Sequence, residues 1–306
     1  MSERNEPEIS IVICTYNRAD VLERTLTYLL GVNGINLTEV IIVDNNSTDH
    51  TRQIVEKFVP RFQRMIYVLE IKQGLSIARN TGVKRAQAPI IAFLDDDAFP
   101  EKHWCKSILE GFQVNDKIMA LGGIIELEFD GERPSWLLPQ LEPLYSCLDL
   151  GDTQGPFPNL LHPLGANMAF RCEVFHQHKF PENLGRKGKS LLSGEESYLF
   201  SLIRRDKGII YYFPKMKVRH FVAKDRLSKD WLIRRYKAEG VSKAMGAMTI
   251  FRRFALFAVT ITKILLLIAE KPFLKLKGDG HTLLNNCRLT SQFAAMNELF
   301  RGKTGT

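Results

Sequence analysis

The chain has 306 residues, of which 45% are hydrophobic and 25% charged, so it can bury a substantial core and is not an intrinsically disordered protein. Its net charge of +8 is uneven, because residues 226–306 hold 15 Lys and Arg against 5 Asp and Glu, whereas residues 1–225 are close to neutral. This excess of positive charge predicts that the C-terminal part, and not the rest of the chain, binds a polyanionic partner such as phospholipid or nucleic acid.

The N-terminal stretch "MSERNEPEIS" is polar and lacks the apolar core of a secretory signal peptide. The five cysteines are scattered and contain no C-x-x-C pair, a pattern that fits reduced thiols better than a disulfide framework or a zinc site. Both features predict a cytoplasmic protein.

Short β-branched runs alternate with helical patterns over the first hundred residues. Strands are predicted at 9–13, 40–43, 65–69 and 90–94, and helices at 20–30, 48–58 and 75–86. Ser47 or Thr48 is the predicted N-cap of the second helix, with Asp49 in its first turn. The alternation predicts an α/β fold with right-handed βαβ units, in which helices cover both faces of a Rossmann-like parallel sheet.

The later chain changes character twice. Residues 121–165 are rich in Gly and Pro and predict strands and ordered loops, followed by a helix at 195–207 and a strand at 209–214. From 229 onward the pattern is helical and basic. The sequence thus predicts one domain over 1–225 and a helical, basic C-terminal region over 226–306.

Three polar segments follow predicted strands: "CTYNR" (14–18), "DNNS" (44–47) and "DDD" (95–97). Because ligands bind at the carboxyl ends of strands in open parallel sheets, these segments are expected to converge. Each could instead be turn or cap chemistry, and "DDD" could be an exposed acidic turn. As a cation site, the three carboxylates would suit Mg²⁺ or Mn²⁺, which typically bridges protein carboxylates to phosphates.

The glycine-rich nucleotide fingerprints G-x-G-x-x-G after the first strand and G-x-x-x-x-G-K-[ST] are absent from the sequence. A diphosphate would therefore be neutralised by metal and side chains. Asp44 could accept hydrogen bonds from a base or ribose, and Arg79 could neutralise phosphate, bond the base or be an exposed helix residue. Glu195 and Glu196 are either first-turn helix acids or a candidate general base.

These stretches together resemble glycosyltransferase family 2, inverting enzymes of the nucleotide-sugar-binding type A fold with its mixed, mostly parallel sheet. The resemblance rests on "SIVICTYNRADVLERTL", "EVIIVDNNSTDHT", "GLSIARNTGVKRA", "IIAFLDDDAFP", "GANMAFRCEVF" and "GEESYLFSLIRRDKG", which cover about 9–208 in the family's order. The segment "VRH" with "DRLSKDWLIRRYKAEG" is similar to a tail of some bacterial members.

The resemblance implies a set of site residues. Asp95 and Asp97 would be the outer positions of the family's Asp-x-Asp motif, which contacts ribose, diphosphate and Mg²⁺ or Mn²⁺. Asp97 is favoured over Asp95 as the direct metal ligand, and His220 would be a further metal or diphosphate contact. Glu195 and Glu196 replace the family's Glu-Asp pair, whose second acid is usually the base; here that acid is Glu196, one methylene longer. Implied nucleotide contacts are Thr15, Tyr16, Asn17, Asp44, Arg79, Asp95 and Asp96, and implied donor-sugar contacts are Gly165 and Asn167.

The implied reaction is inverting transfer of a sugar from a nucleotide-diphosphate sugar to an acceptor hydroxyl in cell-surface polysaccharide or glycolipid synthesis. A non-catalytic nucleotide-sugar-binding protein and a metal-dependent nucleotidyltransferase are the alternatives. The apolar run 254–269 with its basic flanks predicts either a core helix or an interfacial helix on anionic membrane, at the inner face of the cell membrane. The acceptor would then be a sugar or a lipid-linked sugar, and a nucleic-acid partner is not expected.

Overall fold

The computed structural model describes residues 6–159, 161–188, 190–246, 250–274 and 278–301, except for the side chains of 250–252 and 301. Residues 1–5 lie outside the described residues, and so do Lys275 and Lys277, which flank the predicted apolar run. The chain forms two compact units. Unit 1 comprises Met1–Glu128, Ser146–Glu182 and Glu195–Phe221, and unit 2 comprises Phe129–Tyr145, Asn183–Gly194 and Val222–Thr306.

The described strands are β1 Ile9–Thr15, β2 Thr38–Asp44, β3 Met65–Leu69, β4 Ile90–Phe93, β5 Ala98–Pro100, β6 Ile118–Gly122, β7 Ile125–Phe129, β8 Gly155–Pro156, β9 Met168–Arg171, β10 Ile209–Tyr212 and β11 Val218–Val222. The helices are α1 Ala19–Leu30, α2 Thr51–Phe58, α3 Leu75–Arg85, α4 Trp104–Gln113, α5 Val174–Gln177, α6 Glu195–Arg205, α7 Lys229–Met245, α8 Ile250–Leu274 and α9 Asp279–Arg301.

The main sheet of unit 1 has the strand order β3-β2-β1-β4-β9-β6-β10-β8. Strands β3, β2, β1 and β4 run parallel, as do β6 and β10, whereas β9 is antiparallel to both β4 and β6. The central strands are continuous apolar runs because both faces of the sheet are covered. The predicted α/β fold with a mixed, mostly parallel sheet is confirmed.

A second sheet has three strands in the order β5-β11-β7. Its first strand, β5, begins at Ala98, directly after the acidic segment. In the antiparallel pairing of β5 with β11, His220 is opposite Ala98. This register brings a residue more than a hundred positions away in the sequence beside Asp97.

The predicted start of the second helix is wrong. Helix α2 begins at Thr51, and its N-cap residue His50 makes no side-chain cap hydrogen bond. Thr48 instead donates its backbone N–H to the Asn17 side chain, 2.6 Å away. Asp49 precedes the helix and accepts hydrogen bonds from the backbone and hydroxyl of Thr51. The loop is thus held by contacts to the preceding βα loop, which periodicity does not encode.

Unit 2 gathers three separate stretches of chain, whereas the sequence predicts a single C-terminal region from 226. Helix α9 packs along α7 and α8. Gly240 permits the close approach of α7 to α9, because a Cβ there would overlap the backbone of Ser291. Tyr145 stacks on Trp231 at 5.0 Å between ring centroids, which joins the segment 129–145 to α7. Among the described residues, no helix is both long and apolar enough to cross a membrane.

Candidate active site

The polar segments after β1, β2 and β4 meet at one edge of the main sheet in unit 1. Thr15 and Asp44 end β1 and β2 at the same register level, and the Thr15 carbonyl accepts the backbone N–H of Asn45 at 2.8 Å. The Thr15 hydroxyl donates to a carboxylate oxygen of Asp96, also at 2.8 Å. Parallel topology therefore assembles three sequence-distant loops into one polar surface.

The acidic segment is not an exposed turn. Asp96 and Asp97 are buried, whereas the Asp95 side chain is 33% exposed. Arg18 forms ion pairs with Asp96 at 2.6 Å and with Asp97 at 2.7 Å. Burial alone would lower the pKa of Arg18, but these two carboxylates outweigh it and raise that pKa. Part of the negative charge is thus neutralised by the protein, and Asp95 remains on the open side.

Asp96 is held on two sides in this arrangement. It accepts hydrogen bonds from Thr15 and Arg18, and its backbone carbonyl accepts from the Thr25 hydroxyl. Burial raises the pKa of Asp96 to about 6; Arg18 opposes this effect, and the charge of Asp97 adds to it. Its side chain therefore couples Arg18 to the end of β1.

Asp95, Asp97 and His220 form a potential metal site. Their ligand atoms all lie within 4.8 Å of one another. His220 is buried, its Nε2 lies 3.1 Å from an Asp97 oxygen, and its Nδ1 has no hydrogen-bond partner among the described residues. Two carboxylates and an imidazole are a donor set that a divalent cation accepts.

Asp44 lies in the same polar edge, but its carboxylate is buried. One oxygen accepts the backbone N–H of Ser47 and the other accepts the Tyr67 hydroxyl, each at 2.8 Å. Burial and then the bond to Asp44 raise the pKa of Tyr67 to about 12, so the phenol stays a donor. The hydrogen bond from Tyr67 thus fixes the orientation of the Asp44 carboxylate, which is the predicted contact to a base or ribose.

Asn17 and Tyr16 form the rim after β1. Asn17 adopts a left-handed backbone angle of 52°, which Asn tolerates better than most residues. Its side chain accepts from Thr48, and its backbone N–H donates to the Ser47 hydroxyl. Tyr16 is half-buried. The two βα loops are therefore tied into one surface.

Arg79 on α3 points into the protein and is only 3% exposed, so it is not a solvated helix residue. Its guanidinium lies 3.0 Å from Glu195, 3.0 Å from Glu196 and 3.7 Å from Asp95. It also lies over the ring of Phe180, 5.3 Å from the centroid. Burial would lower the pKa of Arg79, but Glu196, Glu195 and Asp95 together raise it. Arg79 thus joins the acidic segment to the glutamate pair.

The two glutamates differ in their surroundings. They begin α6, where acidic side chains are favourable. The Glu195 side chain is 5% exposed and accepts a hydrogen bond from Arg79, whereas the Glu196 side chain is 18% exposed. Gly165 lies against the Arg79–Glu196 pair, and a Cβ at that position would be 2.5 Å from a Glu196 oxygen. Of the two acids, Glu196 is the more accessible.

Asn167 is buried, and its side-chain amide is used inside the protein. Its oxygen accepts from the indole of Trp104 at 2.8 Å, and its nitrogen donates to the carbonyls of Ile124 and Met216. These bonds hold the turn Gly165–Asn167 in place. A donor-sugar contact from this residue stays a prediction. In this orientation the side chain stabilises the turn.

Arg18 and Tyr67 are site residues that sequence reasoning did not assign. Arg18 lies within the segment "CTYNR", which is predicted to converge with "DDD". A basic side chain in the same predicted cluster as three carboxylates is a signal for an ion pair that the sequence offers. Tyr67 carried no local signal, because it lies within an ordinary strand pattern and reaches Asp44 only through the β2–β3 register.

A family model described as "Glycosyl transferase family 2" matches residues 10–179. The glucosyl-dolichyl phosphate glucuronosyltransferase of Haloferax volcanii is 25% identical over 240 residues, covering 77% of this chain and 76% of that protein. The succinoglycan biosynthesis protein ExoM of Rhizobium meliloti is 27% identical over 237 residues, covering 74% and 71%.

Among solved structures, the chain is similar to the mannosyltransferase PcManGT from Pyrobaculum calidifontis, determined in complex with GDP-Man and Mn²⁺. The TM-score is 0.62 at 18% identity, over 97% of this chain and 88% of that one. At this identity the similarity shows a shared fold.

Proposed function

Because the chain belongs to glycosyltransferase family 2, we propose that it moves a sugar from a nucleotide-diphosphate sugar to an acceptor hydroxyl with inversion at the anomeric carbon. The observation that carries the proposal is the position of Arg79, which contacts Asp95 on one side and Glu195 and Glu196 on the other. The buried guanidinium of Arg79 thereby keeps the acidic segment, where the diphosphate and the metal would bind, close to the candidate base. A single displacement requires such a short separation.

Asp95, Asp97 and His220 would hold the divalent cation. The cation would neutralise the charge that develops on the departing nucleoside diphosphate. An imidazole among the ligands favours Mn²⁺ over Mg²⁺, because Mg²⁺ prefers oxygen ligands alone. Asp95, being the most exposed of the three acidic residues, is the one that meets the donor from the solvent side.

The nucleotide would lie over the loops that follow β1 and β2. Asp44 can still accept from a ribose or base, since each carboxylate oxygen accepts more than one hydrogen bond. Thr15, Tyr16 and Asn17 form the wall beside it, and Asp96 fixes that wall through Thr15. The turn with Gly165 and Asn167 would border the donor sugar.

Glu196 is the proposed general base. It would accept the proton of the acceptor hydroxyl while that oxygen attacks the anomeric carbon, and the carbon–oxygen bond to the diphosphate breaks on the opposite face. Glu195 is the more deeply buried acid and serves as a counter-ion that orients Arg79. Arg79 is then a positioning residue, because it acts on the reaction through the Glu196 carboxylate that it holds.

The acceptor is proposed to be lipid-linked or part of a growing cell-surface glycan. The similarity to a protein named for glucosyl-dolichyl phosphate and to a succinoglycan biosynthesis protein supports that class of acceptor. The site of action would be the cytoplasmic face of the cell membrane.

A two-stage experiment tests the proposal. Thermal shift with UDP-, GDP-, dTDP- and CDP-sugars, with and without Mn²⁺, should give metal-dependent stabilisation by one class of donor, and Asp97→Asn should abolish it. With that donor, Glu196→Gln should lower transfer by at least about 100-fold while keeping the stabilisation.

The exposed Glu56→Gln on α2 is the matched control and should leave both readouts unchanged. Stabilisation without turnover by the wild-type protein would instead support a non-catalytic nucleotide-sugar-binding protein. A product with retained anomeric configuration, or full activity of Glu196→Gln, would contradict the proposed chemistry.

A further inference from the structure

We propose that the outward face of α8 in unit 2 is a docking surface for an anionic membrane. Helix α8 carries large apolar side chains that are exposed to solvent. They include Phe254, Val259, Leu265, Leu266, Ile268 and Phe273, of which Leu265 and Leu266 are 62% and 65% exposed. Monomeric soluble proteins rarely leave a contiguous apolar patch of this kind uncovered.

The opposite face of α8 is already occupied by protein. Thr260 and Ile264 are buried, and Leu256 and Phe257 pack on the cluster that α9 contributes with Ala295 and Leu299. At about 100° per residue, the exposed apolar side chains spread over roughly half of the helix circumference. The helix therefore has one face for α9 and one apolar face for another phase or partner.

The charge around this face identifies the partner. The segment 250–277 contains six Lys and Arg and a single acid, Glu270. Among its described side chains, Lys263 and Lys271 are exposed. A second copy of the chain would bring like charges together across such an interface. A bilayer with anionic headgroups instead offers acyl chains to the apolar face and negative charge to the rim.

At this spacing Lys263 lies beside the apolar face, and its long basic side chain can reach back to the headgroups, as in an interfacial helix. The proposal goes beyond the sugar transfer proposed above and does not depend on it, since the surface consists of residues outside the candidate active site.

The test is co-flotation of the purified full chain with vesicles, which measures no transfer activity. The wild-type protein should float with vesicles of phosphatidylcholine containing one-third phosphatidylglycerol and far less with phosphatidylcholine alone. Leu265→Glu/Leu266→Glu should lower the partition coefficient more than about tenfold, because two leucines that would enter the lipid are exchanged for charges. Lys263→Gln should lower it about fivefold.

The matched control is Leu69→Glu/Ile71→Glu in unit 1. These side chains are 51% and 72% exposed, so the control makes the same change of charge and apolarity elsewhere on the surface. It should float like the wild-type protein. Equal loss in the control, equal binding to neutral vesicles, or unchanged flotation of Leu265→Glu/Leu266→Glu would overturn the proposal. So would a vesicle-free dimer that this variant converts to monomer, because a second copy would then cover the face.

Discussion

Replacing Gly165 with alanine tests whether the Arg79–Glu196 contact positions the proposed base. The backbone of Gly165 does not lie in the left-handed region, so the methyl group itself is the perturbation. That methyl would fall 2.5 Å from a Glu196 oxygen and closer still to an Arg79 nitrogen. Arg79 cannot easily retreat, because it is buried and bonded to Glu195.

The size of the effect follows from these distances. An ordinary contact for a Cβ lies at 3.4–4 Å. The Glu196 carboxylate must therefore move by roughly 1 Å, and a displacement of that size near a reacting centre can cost about 100-fold in rate. That factor corresponds to about 3 kcal/mol of transition-state stabilisation. The crowding itself should cost about 1–3 kcal/mol of folding free energy.

The assay is steady-state release of nucleoside diphosphate, with the donor that thermal shift identifies. Gly165→Ala should reduce kcat about 100-fold, and it should also raise the KM for donor, because Gly165 is proposed to border the donor sugar. Gly111→Ala in α4 is the matched control, since the atoms nearest to its Cβ would belong to Leu121 and Phe213, at 2.8 Å or more. It should lose stability but keep kcat. Wild-type kcat in Gly165→Ala would refute the argument that Arg79 positions Glu196.

Two further predictions concern charge at the polar edge. Arg18→Met should lower the free energy of unfolding by about 3 kcal/mol in urea titrations, because it leaves buried carboxylates without their cation; Arg52→Met, which breaks an exposed pair, should cost less than about 1 kcal/mol. Burial alone would raise the pKa of Asp49, but hydrogen bonds from Thr51 and Ala19 lower it. The stabilisation by ionised Asp49 is therefore present above about pH 4 and is lost as the pH falls further. Asp49→Asn should flatten that part of the stability–pH curve, and an unchanged curve would contradict the assignment.

Local patterns determined the first half of the sheet. The runs 9–13, 40–43, 65–69 and 90–94 are strands within one or two residues of their predicted bounds, because β-branched apolar stretches between helical periodicities have few alternatives. Parallel order then placed "CTYNR", "DNNS" and "DDD" at one edge without any knowledge of side-chain contacts. The sequence by itself therefore located the candidate site and its acidic residues.

Long-range pairing decided the rest. The insertion of antiparallel β9 between β4 and β6, and the β5–β11 register that carries His220 to Asp97, depend on contacts between segments far apart in the chain. Tertiary packing also directs Arg79 inward to the two glutamates and engages the Asn167 amide in hydrogen bonds inside the protein. It also left one face of α8 bare. Periodicity records which face of an element is apolar but not what covers it, so these features required the tertiary structure.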